Sequence, residues 1–101
     1  MDFGQMFGKL QEAQQKMEEV KSKLNDIQVE GEANGVVVVV TGNRKIVNVD
    51  IPQNLITNGD KEQLEDLITI AFTRAIDNAD AVNEKEMKGV AGSMLPGFPG
   101  L

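Results

Sequence analysis

The chain has 101 residues, a formal net charge of −6 and 41% hydrophobic content, enough for one small domain whose core is adequate if a subunit interface adds burial. It contains no Cys, His, Trp or Tyr and four Phe, which excludes disulfides, thiol chemistry, the usual zinc ligand sets and His-assisted nucleophiles, and leaves few rings for stacking single-stranded bases. The longest aliphatic run, Val36 to Val40, is far short of a membrane span and Met1 to Lys9 lack an apolar leader core, so a cytoplasmic protein with no membrane partner is expected.

A first helix is expected up to about Leu24. Asp2 and Gln5 have capping-box spacing, and Phe3, Met6, Leu10, Ala13, Met17, Val20, Leu24 and Ile27 alternate by threes and fours into one apolar seam. Gly4 and Gly8 each weaken the first turns by up to about 1 kcal/mol relative to Ala. Lys9, Lys16 and Lys23 recur every seven residues beside the seam. They admit two readings. Glu12–Lys16 and Glu19–Lys23 stand in the favoured i,i+4 order of helix salt bridges, worth about 0.2–0.5 kcal/mol each, and lysines flanking such a seam also pair with acids on a partner helix. Alternatively the stripe grips a polyanion.

From Ile27 the period changes to two, with Ile27, Val29 and Gly31 set against Gln28, Glu30 and Glu32, the pattern of a strand with one wet face. Asn34-Gly35 marks a hairpin turn. Val36 to Thr41 is a β-branched run whose continuity predicts a central strand buried on both faces. Gly42-Asn43 makes a second turn. Lys45 to Ile51 alternates Val47, Val49 and Ile51 against Ile46, Asn48 and Asp50 until Pro52 ends it. The middle of the chain is therefore a three-stranded antiparallel meander.

A second helix is predicted from Asp60, which repeats the capping-box spacing with Gln63, to about Met87. Its wide apolar stripe runs through Leu64, Leu67, Ile68, Ala71, Phe72, Ala75, Ile76, Ala79 and Val82. Gly89 fits a stop, and six of the last thirteen residues are Gly or Pro. The division expected is one domain over 1–88 and a flexible tail over 89–101, in which Met94, Leu95, Phe98 and Leu101 are the apolar positions. The fold class is α+β, in the order α-β-β-β-α. Helices of about 35 and 42 Å must overhang strands of about 20 Å, and overhanging apolar seams need cover. A homodimer supplies it, with Met6, Leu10, Met17, Val20 and Leu24 of the first helix and Leu64, Ile68 and Phe72 of the second as its interface candidates.

No constellation for catalysis is present. Glu18-Glu19 and Glu65-Asp66 are the only acid pairs to consider, and adjacent helical residues point 100° apart, so neither pair converges on one atom. No cofactor, metal or small-molecule substrate is expected. The candidate contacts to a polyanion are Lys9, Lys16 and Lys23, then Arg44 and Lys45 at the second turn, then Arg74, Lys85 and Lys88, which share one flank of the second helix. Residues 60–88 carry eight acids against four bases. Local patches decide, because screening limits charge effects to about 8–10 Å.

In order and wording the chain resembles the YbaB/EbfC nucleoid-associated proteins of bacteria. The carriers are KLQEAQQKMEEVKSKL, VEGEANGVVVVVTGNRKIVNVDI, EDLITIAFTRAIDNA and the closing MLPGFPGL, which together span nearly the whole chain. The resemblance implies an intertwined homodimer whose projecting helices form tweezer-like arms on duplex DNA at the nucleoid. The chain departs from the family at Asp77, Asp80, Glu84 and Glu86, where members often carry Lys or Arg. With no helix-turn-helix, zinc finger or basic zipper, DNA binding is expected to be backbone-led, of low sequence specificity and sensitive to salt. The alternative is an acidic dimeric protein-interaction module with little or no DNA binding.

Overall fold

The structure, a computed structural model, describes residues 3–94 and the side chains of residues 3–89. Its elements are α1 (Phe3–Asp26), β1 (Gln28–Ala33), β2 (Val36–Thr41), β3 (Ile46–Asp50), a short α2 (Gln53–Thr57) and α3 (Lys61–Met94). The three strands form one antiparallel sheet in the order β1-β2-β3. The expected helix, meander and long helix are all present. The Asp2 cap and the tail residues Leu95, Phe98 and Leu101 lie outside the described residues.

Asn34 and Gly35 both have positive φ, 49° and 92°, which is the type I′ geometry that a two-residue hairpin loop needs to match strand twist. The turn sets the register Ala33↔Val36 through Gln28↔Thr41. Val29, Gly31 and Ala33 thereby share one face with Val36, Val38 and Val40, and α3 lies on that face. Ala71, Ala75 and Ala79 come together there at i,i+4 spacing, fully buried against the three valines. Small side chains on both surfaces let helix and strand backbones approach closely. At Gly31 the approach is so close that a Cβ would collide with the Ala71 carbonyl oxygen and the Ala75 amide nitrogen.

Val37 and Val39, on the opposite face of β2, are only half-buried. The expected burial on both faces is corrected to one, because no described element buries the second. A bulge between Val39 and Val40 also sets Ile46 opposite Val40, on the face of Val49, rather than with Asn48 and Asp50. Every residue of β3 is exposed, Ile46 and Val47 by 60% and 48%. The chain leaves an apolar edge of its own sheet uncovered.

Pro52 ends the strand and opens α2, a five-residue helix too short to show a 3.6-residue period in sequence. Leu55 of α2 packs against the core beside Ile51. Asp60 caps α3 as expected, its carboxylate accepting from the Glu62 N–H at 3.0 Å. The helix does not stop at Gly89 but continues to Met94. Nothing lies within 4 Å of a Cβ built on Gly89, so no contact there asks the backbone to turn. One mid-helix glycine is a loss of about 1 kcal/mol, which a long helix absorbs.

Thirty-four helical residues span about 51 Å, well beyond a six-residue strand. The chain measures 68 × 23 × 17 Å, with a radius of gyration of 19.4 Å where a compact domain of this length has about 13 Å. Of the α1 seam only Val20 and Leu24 are buried; Phe3, Met6, Leu10 and Met17 are exposed. The N-terminal half of α1 projects with an open apolar seam.

Candidate nucleic-acid interface

The projecting helix is anchored at one junction, formed by the end of α1, the β2–β3 turn and residues 80–86 of α3. The turn spans three residues, closed by the Thr41 N–H on the Lys45 carbonyl and the Arg44 N–H on the Thr41 carbonyl, with Arg44 at φ 66°. The Gly42 amide nitrogen lies 3.0 Å from both the Leu24 and Ile27 carbonyl oxygens, so the turn is hydrogen-bonded to the last turn of α1 and to the residue that follows it. Asn43 donates to the Lys21 carbonyl at 2.9 Å and also to Asn25 Oδ1. A Cβ on Gly42 would lie 2.8 Å from Leu24 Cδ2 and 3.0 Å from the Leu24 carbonyl oxygen, so a larger residue there would push the Leu24 side chain aside. From α3, Asn83 donates to the Gly42 carbonyl at 3.4 Å.

Two ion pairs complete the junction. Lys23 Nζ lies 3.0 Å from Glu86 Oε2, and Arg44 Nε donates to Asp80 Oδ1. Lys23 thus pairs across to α3 instead of with Glu19 along its own helix. Lys45 is exposed beside Arg44 and has no ion pair among the described residues. Lys9 is exposed on the projecting half of α1, and Lys85 and Lys88 are exposed on α3 beyond the sheet; none of the three has an ion pair among the described residues. Lys16 is half-buried between these groups.

Arg74 stands apart. In the observed hairpin register the peptide groups of Glu30 and Glu32 point away from β2, toward the open edge of the sheet. Arg74 Nη1 donates to the Glu32 carbonyl at 2.6 Å, and Asn78, one turn later, donates to the Glu30 carbonyl at 2.8 Å. These side chains close the β1 edge against further strand pairing. Replacing both by Ala removes two hydrogen bonds, each worth about 1 kcal/mol, and is expected to lower stability by about 2 kcal/mol and to raise the fraction of high-mass species in sedimentation. An unchanged melting midpoint and mass distribution would remove this role.

Residues 1–94 match the YbaB/EbfC DNA-binding family. The chain belongs to that family. A Flavobacterium johnsoniae nucleoid-associated protein is 40% identical over an alignment covering 100% of this chain and 95% of the relative. One from Rickettsia bellii is 33% identical, over 97% of this chain and 95% of the relative. A crystal structure of an uncharacterized Helicobacter pylori protein superposes with a TM-score of 0.73 at 26% identity, covering 93% of this chain and 97% of that one.

For a member of a DNA-binding family, the eight candidate cations divide into distinct settings. Lys23, Arg44 and Lys45 come together at the junction, Lys85 and Lys88 follow on α3, Lys9 and Lys16 lie along α1, and Arg74 belongs to the sheet edge. Sequence periodicity missed Asn43, Asn78 and Asn83, whose partners are backbone carbonyls on distant elements. Of the acid pairs set aside above, Glu65 lies 3.7 Å from Lys61, and all four residues are exposed. Among the described residues no group of three or more acidic side chains could hold a metal ion, and no helix is long and apolar enough to cross a membrane.

Proposed function

We propose that the chain acts as a homodimer that binds duplex DNA at the nucleoid through its helical arms, by phosphate contacts of low sequence specificity and without a catalytic step. The observation that carries this reading is the pair of long helices extending beyond the sheet with Lys9, Lys85 and Lys88 exposed and unpaired among the described residues. The family's DNA-binding character supports DNA as the polyanion. Lysines on an exposed helix present point charges to a phosphate backbone, and no motif is present to read base edges.

Dimerisation is supported by what one chain leaves open. Met6, Leu10 and Met17 of the proposed interface are exposed, and so are Ile46, Val47 and Val49 on β3. Val20 and Leu24 are already used inside the chain, Leu24 being only 2% exposed. Leu64, Ile68 and Phe72 are half-buried against the chain's own sheet and offer only their outer surfaces to a second copy. A second reading, the acidic protein-interaction module, draws on the net charge of −6 and on the junction ion pairs, which occupy two of the candidate cations.

Fluorescence anisotropy on duplexes of unrelated sequence decides between the two. DNA binding predicts similar affinities for all duplexes and a steep loss between about 50 and 200 mM salt, with sedimentation giving twice the chain mass. No association at about 50 mM salt would overturn the DNA reading in favour of the interaction module.

A further inference from the structure

The junction that anchors α1 also brings each of two candidate DNA contacts against a carboxylate from α3. Arg44 Nε donates to Asp80 Oδ1 and Lys23 Nζ to Glu86 Oε2, linking positions 36 and 63 residues apart. Resting on the DNA reading above, we infer that Asp80 and Glu86 are intramolecular competitors for the DNA phosphates, holding Arg44 and Lys23 in a self-paired state that duplex DNA must displace. A carboxylate and a phosphodiester are both oxyanions, and each takes hydrogen bonds from guanidinium and ammonium groups in the same way. Each cation keeps further N–H donors, so the carboxylates compete by neutralising its charge, by fixing where it points and by repelling an approaching phosphate.

The backbone at Arg44 is itself unusual. Its φ of 66° is the left-handed conformation that closes a three-residue hairpin loop, a position where glycine carries no steric penalty. An arginine there accepts that penalty and directs a guanidinium along α3 toward Asp80. The pairs remain open to exchange. Side-chain exposure is 47% for Arg44 and 44% for Asp80, and 60% for Lys23 and 22% for Glu86, so solvent and phosphate reach the donors without unfolding. Exposed pairs of this kind are weak, which makes them displaceable: each holds back DNA affinity by up to about fivefold. The device lowers DNA affinity through two α3 carboxylates, Asp80 against the β2–β3 turn and Glu86 against α1.

The test compares Asp80→Asn/Glu86→Gln with wild type in anisotropy titrations on one duplex from about 50 to 200 mM salt. Up to about 25-fold tighter binding per chain engaged is expected at low salt, because DNA no longer has to break two ion pairs, with a log K against log salt slope close to that of wild type since the same cations meet phosphate in both complexes. Asp66→Asn/Asp77→Asn removes the same charge from exposed α3 residues with no ion pair among the described residues, and is expected to gain less than threefold with no change of slope. An equal gain in both double variants overturns the inference, since total charge would then explain it. If wild type binds but Asp80→Asn/Glu86→Gln does not bind more tightly, the competition fails while the DNA reading stands; if no form binds at low salt, both fail. Wild type supplies a readout that needs no variant to fold. The chain has two arginines, so Nε–H resonances resolve them: Arg44 should shift on adding DNA while Arg74, held on the Glu32 carbonyl, stays. A stationary Arg44 resonance at saturating DNA overturns the competition at that residue.

Discussion

Gly31→Ala is expected to lower the melting midpoint by roughly 12–24 °C, which corresponds to about 3 kcal/mol in a domain of this size. The reason is the packing of β1 on α3. A Cβ at Gly31 meets the Ala71 carbonyl oxygen and the Ala75 amide nitrogen, both backbone atoms in a continuous helix. A flexible side chain would rotate away, whereas backbone can yield only if α3 moves off the sheet. That movement opens space around Ala71, Ala75, Ala79 and Val36, Val38, Val40, all fully buried, so overpacking at one point loosens contacts along the ridge. Gly8→Ala is the control, because its added methyl meets nothing within 4 Å and lies in a helix, where Ala gains about 0.5–1 kcal/mol. Thermal denaturation followed by circular dichroism reads both variants. A Gly31→Ala protein melting within about 3 °C of wild type would refute the close helix–strand approach.

The second large effect concerns binding. Lys9→Gln/Lys85→Gln/Lys88→Gln is expected to weaken duplex DNA binding by about 10- to 100-fold at about 50 mM salt and to flatten the salt slope by up to about 2.7 per chain, at about 0.9 per lost phosphate contact. These three lysines are exposed on helices and have no ion pair among the described residues, so helix content and sedimentation should hold. Lys61→Gln serves as a comparison. It lies at the start of α3, 3.7 Å from Glu65, outside the proposed interface, and should change affinity less than twofold. Equal losses in both would mean that the arms have no special part in binding.

The elements that could be read from the sequence are those whose cause is local. Alternation by threes and fours from Phe3 to Leu24 gives a helix because the 3.6-residue period is a property of the segment itself. Asn34-Gly35 gives the hairpin because both residues tolerate positive φ, and the register of β1 on β2 follows from that turn. The misreadings have equally definite causes. Val37 and Val39 have the same composition as Val36, Val38 and Val40, so nothing in the run says that only one face is covered. Gly89 looks like a helix stop because glycine often is one, yet with open space around it the helix simply continues. The bulge that turns Ile46 to the face of Val49 leaves no mark in an alternating apolar pattern.

By itself the sequence determined the order of the two long helices and three strands, the two turns, the absence of Cys and His chemistry, and the set of candidate cations. Each of these depends on residue identity or on spacings shorter than a helical turn or a hairpin. Only the tertiary structure decided how those cations are used. Arg74 meets a strand carbonyl 42 positions away, Arg44 meets an acid 36 away and Lys23 one 63 away, while Lys9, Lys85 and Lys88 have no ion pair among the described residues. Charge at one position is a property of the residue, but its availability depends on which distant segment the fold brings beside it, and that is settled by the packing of α1, the β2–β3 turn and α3 around one junction.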